Sequence, residues 1–433
     1  MSHIHGTASN YLTLSDALVA AATGNSLASV GISSGGTGYT VGDVLTVAGG
    51  TSTAAAQVEV TTVSSGVITG VRVFNSGAYS ANPSSPNSAT GGAGSGASLT
   101  LTMADNGWTA ELDSTWSGSQ KEVVLSSTGD GGDAIFIGWR TLSDLATYYN
   151  WELHGMTGYT AGQHLDNQPG VSPGFHDATL GANKAGAYLL LSNATIEYWF
   201  YVDAYHILII AKVGSNYFNA YMGWGDRYMT ESEYPYPMVV GGHSSLWNAV
   251  YSQSALSSGL TDPWRTQGGD GTGNTSGPMF ARFNDGAWHS VANQAVGSIS
   301  NAAIRQRTVL PAAHPGSAFG NASGDPAVDA MDLFMNSTAS FIDLIPNTGL
   351  AATATANLEA TPGTADMRVL FPTLVSFCAP SVNVVLELRG VYWASGAGGV
   401  FSEDRIVVGG VVYRMFQNCN RSSSFAFLAV QEA

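Results

Sequence analysis

The sequence predicts a mainly β protein with a minor helical content, in which an antiparallel sheet core carries a small inserted β module of sandwich type. Three observations lead to this class. Short runs of β-branched and aromatic residues recur between turns rich in Gly, Asn and Asp. Glycine accounts for 53 of the 433 residues. A loose internal repeat lies between residues 26 and 106, in a segment whose composition differs from that of its flanks.

The flanks of this segment predict an insertion. Before it, residues 15–22 form a short amphipathic pattern, with Ser15 as the expected N-cap and Gly24 as the expected stop. After it, residues 107–112 alternate as in a strand. Insertions are tolerated at exposed turns because little buried backbone is disturbed. We therefore expect one discontinuous main domain, 1–25 with 107–433, and one module, 26–106.

Within the module, residues 29–39 recur loosely as residues 70–79, which places Tyr39 and Tyr79 in corresponding positions. Glycines near an aromatic ring permit turns with positive φ and close packing of backbone under the ring. The repeat predicts a spacer, and a specific ligand-binding role is the alternative. A separable module should pack its apolar side chains mainly on one another, with few contacts to the main domain: Val30, Ile32, Val44, Leu45, Val47, Val58, Val60, Val71, Val73, Leu99 and Leu101.

The main domain is predicted to be rich in strands. Its clearest signal is a three-stranded antiparallel meander over 197–202, 206–213 and 217–224, whose continuous apolar runs indicate burial on both faces. Further strands are expected at 122–125, 134–139, 151–156, 384–389, 391–393, 404–408, 411–416 and 425–430. Residues 244–324 are polar with little periodicity, so they predict a long loop-rich excursion across a partner surface. A weak second helix is expected at Ala327–Phe334.

Charge and composition exclude several classes of function. The chain has 15 basic and 31 acidic residues and no basic run, which opposes nucleic-acid binding. No apolar run approaches the ~20 residues of a membrane span, and the first residues lack a signal-peptide pattern. Cys378 and Cys419 have no metal-ligand spacing. They are expected as two free thiols, with a disulfide as the alternative.

The sequence contains no nucleophile elbow, zinc-protease, P-loop or dinucleotide motif, so we expect neither catalysis nor a cofactor. His3 and His5 are weak metal candidates, because they share one strand face and three symmetry-related copies could ring a metal on a threefold axis; a disordered or merely polar N-terminus is the alternative. Residues 268–274 resemble a calcium loop without its bidentate acid, and a plain loop is the alternative. Asp130 and Asp133 are candidate paired carboxylates or, alternatively, turn caps.

Low charge and many aromatics favour a homo-oligomer, because interface cores are poor in Lys and Glu and rich in Tyr and Trp. The alternative is a monomer with a polar surface. Residues 234–237, Tyr-Pro-Tyr-Pro, form a rigid extended segment that suits an interface or, alternatively, packs on the meander. The interface candidates are Tyr217, Tyr221, Trp224, Tyr234 and Tyr236.

Most of the chain, excluding about 244–324, resembles virion structural proteins of tailed bacteriophages. The similar segments are His5–Leu12, Asn150–Leu153, Gly158-Tyr159, Tyr198–Phe200, Tyr234–Gly242, Gly390–Gly396 and Ile406–Asn418. The phrase Gly36–Leu45 also resembles a repeat of phage tail, fibre and appendage proteins. The inserted module departs from the shorter relatives.

The resemblance implies a structural component of the phage particle, associated with the tail or baseplate, that forms a symmetric oligomer and exposes the β module. Its expected partners are further copies of itself and other virion proteins, and its expected location is the virion, assembled in the bacterial cytoplasm. The alternatives are a receptor- or glycan-binding spike or fibre, a decoration protein of the capsid or neck, and a glycan-cleaving enzyme. The last would need two acids flanking a groove.

Overall fold

The computed structural model describes residues 1–144, 148–174, 187–242, 279–291, 307–310, 370–379, 382–394, 400–417 and 427–432. In these residues antiparallel strands dominate and form four sheets, which confirms the predicted mainly β class. No helix among them is long and apolar enough to span a membrane. The predicted helix Ala327–Phe334, the glycine-rich loop 268–274 and Cys419 lie outside the described residues.

The chain begins with strand β1, Ser2–Ala8, and helix α1, Tyr11–Thr23. The helix starts four residues before the predicted start, because Asn10 and Thr13 form a capping box: Asn10 Oδ1 accepts from the Thr13 amide at 3.0 Å, and Thr13 Oγ1 accepts from the Asn10 amide at 3.0 Å. The predicted N-cap Ser15 is instead a buried helix residue. The predicted stop at Gly24 is confirmed as the C-cap.

The module is one curled eight-stranded sheet with the order β4-β7-β2-β9-β8-β3-β5-β6. Although β6 ends this order, it also lies against β2. The first and last strands of the module are adjacent where the chain enters and exits it. Asn25 pairs with Asp105, and the Asn106 amide donates to the Gly24 carbonyl at 3.1 Å. The strands are β2 Asn25–Thr37, β3 Val44–Val47, β4 Thr51–Ala54, β5 Gln57–Ser64, β6 Val67–Asn75, β7 Ala78–Ala81, β8 Asn87–Thr90 and β9 Ser95–Asp105.

The module has a hydrophobic core of its own, in which Tyr39 and Tyr79 are both buried. Glycine backbone lies under both rings, because a Cβ on Gly94 would meet the Tyr39 ring at 2.5 Å and one on Gly77 would meet the Tyr79 ring at 2.8 Å. The predicted apolar residues of the module all lie in or against this core except Val44, which is half-buried in β3. The repeat thus places one tyrosine over glycine backbone in each half.

The second sheet follows the chain, with the order β10-β11-β12-β13-β14. Its strands are β10 Trp108–Ser117, β11 Gln120–Ser127, β12 Ile135–Asp144, β13 Tyr148–Met156 and β14 Ala187–Leu191. A 3₁₀ turn at Leu165–Asn167 lies against β11 and β12.

The meander sheet has the order β1-β15-β16-β17-β19-β20-β21 and contains the three predicted strands. Its further strands are β15 Ile196–Val202, β16 His206–Val213, β17 Asn216–Trp224, β19 Met238–Gly241, β20 Met279–Arg282 and β21 Trp288–Val291. Two of these short strands, β20 and β21, come from the predicted loop-rich excursion 244–324. Four-residue strands are too short to show periodicity. Pairing specifies them instead, β20 with β19 and β21 with β20.

The last sheet has the order β22-β23-β24-β27-β26-β25, and the short strand β18, Asp226–Arg227, joins it at β24. Its strands are β22 Arg307–Leu310, β23 Leu370–Ala379, β24 Val382–Ala394, β25 Arg405–Val408, β26 Val411–Gln417 and β27 Phe427–Gln431. The strand β22 also falls within 244–324. The predicted hairpin at Gly409-Gly410 is confirmed, with both glycines at positive φ.

The meander sheet is the middle of three layers. Side chains such as Phe200 and Ile209 face the second sheet and α1, while Tyr201 and Leu208 face the last sheet. Adjacent residues of one strand thus enter two different cores, since successive side chains point to opposite faces. This explains the continuous apolar runs and confirms the predicted burial on both faces.

Candidate functional site

The module meets the main domain through residues Phe74–Gly77, called the junction segment below. This segment lies along the edge of β1 that β15 leaves open. The Ser76 amide donates to the His3 carbonyl at 2.8 Å, and the Asn75 side chain donates to the His5 carbonyl at 2.8 Å and accepts from the His5 amide at 3.1 Å. The module therefore covers the open edge of β1 at His3 and His5, where unpaired backbone would otherwise invite association with other chains.

His3 lies under the junction segment and is 3% exposed. Its Nε2 is 2.9 Å from the Phe74 carbonyl oxygen. Burial lowers the pKa of the imidazole below its ordinary value, because the charged form loses its hydration. The expectation that His3 could join a metal on a threefold axis is wrong for the folded chain, since the ring is enclosed by the module.

His5 is also part of the structure of the protomer. Its Nε2 is 2.9 Å from Glu197 Oε1, and its ring stacks on Trp199 with a centroid separation of 4.8 Å. The described residues contain no cluster of three or more His, Cys, Asp or Glu that could hold a metal ion. Strand β1 pairs with β15 on one edge and hydrogen-bonds to the junction segment on the other, which contradicts the alternative of a disordered N-terminus.

Five charged side chains connect the module with the last sheet and are called the junction ion cluster: Glu59, Arg72, Arg405, Arg414 and Glu432. Arg405 bridges the two parts, because Nη1 donates to Glu59 Oε2 at 2.7 Å and Nε donates to Glu432 Oε2 at 2.6 Å. Arg414 Nε donates to Glu432 Oε1 at 2.7 Å. On the module side, Arg72 holds Glu59 with two hydrogen bonds of 2.9 and 3.0 Å.

Glu432 is the deepest carboxylate of this cluster, at 1% exposure. Burial alone would raise its pKa, but neighbouring positive charge outweighs that effect and the pKa lies below the ordinary value. His3 contributes only when protonated, so at neutral pH Arg414 and Arg405 supply this charge. The carboxylate is therefore ionised and fully used by its partners.

An aromatic contact reinforces the ion cluster. The Phe74 ring lies under two guanidinium groups, with Arg405 Cζ at 4.7 Å and Arg414 Cζ at 5.7 Å from its centroid. Guanidinium groups prefer such faces because of the quadrupole of the ring. One residue of the junction segment thus contacts both arginines of the last sheet, and the arrangement fixes one orientation of the module on the main domain.

A second group of buried charges lies in the second sheet around Arg140. Its guanidinium donates to Glu122 Oε1 at 2.8 Å, contacts Asp166, and lies 4.2 Å from the Trp116 ring centroid. Glu122 also accepts from the Leu165 amide at 2.8 Å. Burial would raise the pKa of Glu122, but these hydrogen bonds and that of His164 lower it overall.

This arrangement stabilises the sheet rather than offering an acid and a base to a substrate. Glu122 is 1% exposed, and its two oxygens accept from Arg140, Leu165 and His164. A general acid for glycoside cleavage would instead need a carboxyl with a raised pKa beside a groove. For Asp130 and Asp133 the structure shows a tight turn in which the Gly131 and Asp133 amides both donate to the Thr128 carbonyl. Both aspartates therefore lie in a turn, but the acceptor that closes it is the Thr128 carbonyl rather than a capping aspartate side chain.

The proposed interface aromatics are placed mostly inside the chain. Four of them, Tyr217, Tyr221, Trp224 and Tyr234, are at most 9% exposed and belong to the two cores around the meander sheet. Only Tyr236 is partly exposed, and it packs against the first core. As interface anchors these four are a wrong prediction, because the last sheet and the second sheet cover both faces of the meander. Any contact between copies must use other surface.

Sequence reasoning missed Phe74, Arg405, Arg414 and Glu432. A usable signal existed for Arg414, which interrupts an apolar strand between Tyr413 and Met415 in a chain with only 15 basic residues. A buried charge must be paired, so such a residue predicts an ionic partner. The identity of that partner, Glu432, was not visible because the sequence gives no pairing between β26 and the chain end.

Comparison with known proteins adds no assignment. No protein-family model matches the chain, and no curated protein matches it with statistical significance.

Proposed function

We propose that this chain is a structural component of a tailed-bacteriophage particle, associated with its tail or baseplate, that holds the inserted β module in a fixed orientation. The observation that carries the proposal is the junction: hydrogen bonds of the junction segment to the open edge of β1 and the ion cluster around Arg405 attach the module at two places. A fixed attachment favours a load-bearing or presenting part over a flexible appendage.

The contacts of the buried charged residues support a structural role, in which the chain positions its parts and its neighbours. The buried carboxylates Glu122 and Glu432 are held by arginines, and the buried His3 contacts backbone carbonyl oxygen. The resemblance of the sequence to virion structural proteins points in the same direction.

In this proposal the chain works as a symmetric homo-oligomer among other virion proteins. Contacts between copies would use exposed apolar side chains at one end of the last sheet: Phe401, in the turn before β25, is 71% exposed, and Val407, in β25, is 58% exposed. The strand β25 that carries Val407 has one strand partner among the described residues, β26. A charged substitution, Phe401→Asp, should therefore lower the oligomeric state in light scattering, whereas Tyr217→Phe should leave it unchanged.

The direct test is the protein composition of purified phage particles that encode this chain. Tandem mass spectrometry should find the chain in particles at a fixed copy number that is a multiple of a rotational symmetry. Labelling an epitope tag placed at Gly42, in an exposed turn of the module, should locate it on the tail or baseplate. Absence from washed particles would overturn the proposal, and labelling of the head or neck would favour a decoration protein.

A glycan-binding spike or fibre is the second candidate. It is favoured by one specific surface feature. The exposed Tyr228 lies near Arg389, whose guanidinium is fixed by a hydrogen bond to Asp226.

A further inference from the structure

We propose that a surface where the meander sheet meets the last sheet binds a neutral sugar of a bacterial surface glycan. Five side chains form it and are called the tyrosine–arginine surface: Tyr205, Asp226, Tyr228, Glu387 and Arg389. The choice of bacterial glycans as the source of the sugar rests on the proposed function. The site itself rests on the geometry of these five residues.

The topology brings three separate segments together at this surface. Tyr205 lies in the turn between β15 and β16, and Asp226 lies in β18 opposite Glu387 of β24. Directly opposite residues of an antiparallel pair project from the same face, so the two carboxylates are neighbours. Tyr228 follows β18, and Arg389 stands two residues beyond Glu387, on the same face of β24.

The Arg389 guanidinium is fixed by a hydrogen bond along one edge and by an aromatic ring against one face. Its Nε donates to Asp226 Oδ1 at 2.6 Å, and its Cζ lies 4.0 Å from the Tyr205 ring centroid. The terminal nitrogen Nη1 is 3.9 Å from Asp203 Oδ2, which is longer than a hydrogen bond. Within the described part of the chain, the N–H groups of both terminal nitrogens are therefore left to donate to a ligand, from a guanidinium that is already oriented.

Tyr228 supplies the apolar part of the surface. Its side chain is 65% exposed, and its hydroxyl donates to Glu387 Oε2 at 2.7 Å. That hydrogen bond, with smaller contributions from partial burial and nearby carboxylates, raises the pKa of Tyr228 to about 12, so the hydroxyl remains a donor at neutral pH. An exposed aromatic side chain with a fixed hydroxyl presents its ring in one orientation and loses little further entropy on binding.

This combination fits a sugar better than an anion. A sugar ring has an apolar C–H face for Tyr228, hydroxyl protons for the carboxylates and hydroxyl oxygens for the arginine. Phosphate or a carboxylated sugar would be attracted by Arg389 but repelled by Asp226, Glu387 and Asp203. The net charge of −16 on the whole chain adds to this repulsion. The surface therefore selects neutral polyhydroxylated ligands.

The test uses the full chain on an array of neutral and anionic bacterial surface polysaccharides, followed by calorimetric titration of the strongest neutral binder. Tyr228→Ala and Arg389→Lys should each weaken binding at least about tenfold. Tyr228→Phe keeps the ring and should change affinity less than about threefold. Val41→Ala removes an equally exposed apolar side chain in the module, away from this surface and from the expected contacts between copies, and should have no effect. Near-ultraviolet circular dichroism checks that each variant keeps native packing.

Three results would overturn the sugar site. The wild-type chain could retain no neutral polysaccharide, the Tyr228→Ala chain could bind as well as the wild type, or anionic polysaccharides could bind more tightly. Particle composition is measured separately. A chain found in particles that binds no member of the array would therefore contradict this inference and leave the proposed function standing.

Discussion

The inserted module and the three-layer main domain are stabilised by different interactions. The module, from β2 to β9, contains only four charged residues, Asp43, Glu59, Arg72 and Asp105. Its core is aliphatic, with one tyrosine over glycine backbone in each half. The main domain packs aromatic side chains between sheets and buries charges such as Arg140 and Glu432.

Two of the four charges of the module, Glu59 and Arg72, lie at the junction. The module therefore folds on apolar contacts and uses ionic contacts for its attachment to the main domain. Each kind of interaction can be removed separately, because the core of the module and the junction ion cluster involve different side chains.

The largest expected effect is that of removing the module. Deleting residues 26–105 joins Asn25 to Asn106, which the 3.1 Å hydrogen bond between Gly24 and Asn106 allows without long-range rearrangement. The main domain should keep a cooperative melt at a lower Tm, because β1 loses its second partner and Arg405 loses Glu59. Calorimetry measures this. Loss of soluble expression would show that the module belongs to the main folding unit.

The next effect concerns the buried charges of the main domain. Arg140→Met leaves Glu122 and Glu152 buried without their shared cation, so the free energy of unfolding should fall by about 4 kcal/mol. The matched control is Lys121→Met, whose ion pair with Asp16 is partly exposed, and it should cost less than about 1 kcal/mol. Urea denaturation followed by tryptophan fluorescence measures both. Equal losses in the free energy of unfolding would mean that the buried Arg140 ion pairs contribute no more than the partly exposed pair of Lys121.

A core truncation in the module should be somewhat milder and confined to the module. Leu99 is fully buried in the core of the module, and Leu99→Ala should cost about 3 kcal/mol. Hydrogen exchange should accelerate in β2, β8 and β9 while the meander strands keep their protection. Acceleration spread evenly over both parts would contradict a separate core.

Arg405→Met should loosen the junction without unfolding either part, at a cost of about 2 kcal/mol, because charge-assisted hydrogen bonds to Glu59 and Glu432 are lost. Hydrogen exchange should rise at β1 and at the junction segment, and small-angle scattering should show a broader distribution of module orientations. Val407→Thr, an exposed change in the same strand, serves as the control. Unchanged exchange in the Arg405→Met chain would show that the backbone contacts alone fix the module.

The smallest effect is expected from pH. The folded pKa of His3 is depressed, so between that value and 6.5 the unfolded chain binds a proton that the folded chain does not. Its contribution to stability is complete above pH 6.5 and is lost as the pH falls, by at most about 1.4 kcal/mol per pH unit. Denaturation at pH 7.5 and 5.5 should show a smaller loss for His3→Gln than for the wild type. An equal loss would assign the pH dependence to other groups.

Local patterns in the sequence predicted the strands well. The meander 197–224 and the Gly409-Gly410 hairpin are confirmed, because apolar runs between short turns specify strands without distant help. The start of α1 was missed because Ser15, a good N-cap by type, hydrogen-bonds instead to the buried Trp139 indole at 2.8 Å. A tertiary hydrogen bond thus uses the Ser15 hydroxyl, although the local sequence favours Ser15 as an N-cap.

The candidate site was predicted poorly. The spacing of His3 and His5 predicts a metal site, and the abundance of aromatic residues predicts an interface. The folded chain buries His3 and four of the five interface candidates. Whether a strand faces solvent or a second layer depends on which other sheet packs on it. The exposed Tyr228 and the arginine at 389 gave no local signal, because their proximity follows from the pairing of β18 with β24.

Residue type and spacing alone specify the β class, the internal repeat of the module and the glycine turns that lie under Tyr39 and Tyr79. These depend on residue type and spacing over a few positions, and backbone sterics act at that range. Packing of the sheets on one another places Phe74 beneath Arg405 and Arg414, pairs Glu59 with Arg405 across 346 positions, and makes the meander a middle layer. Long-range contacts of this kind are selected by complementary burial and charge after the strands exist, so no local pattern encodes them.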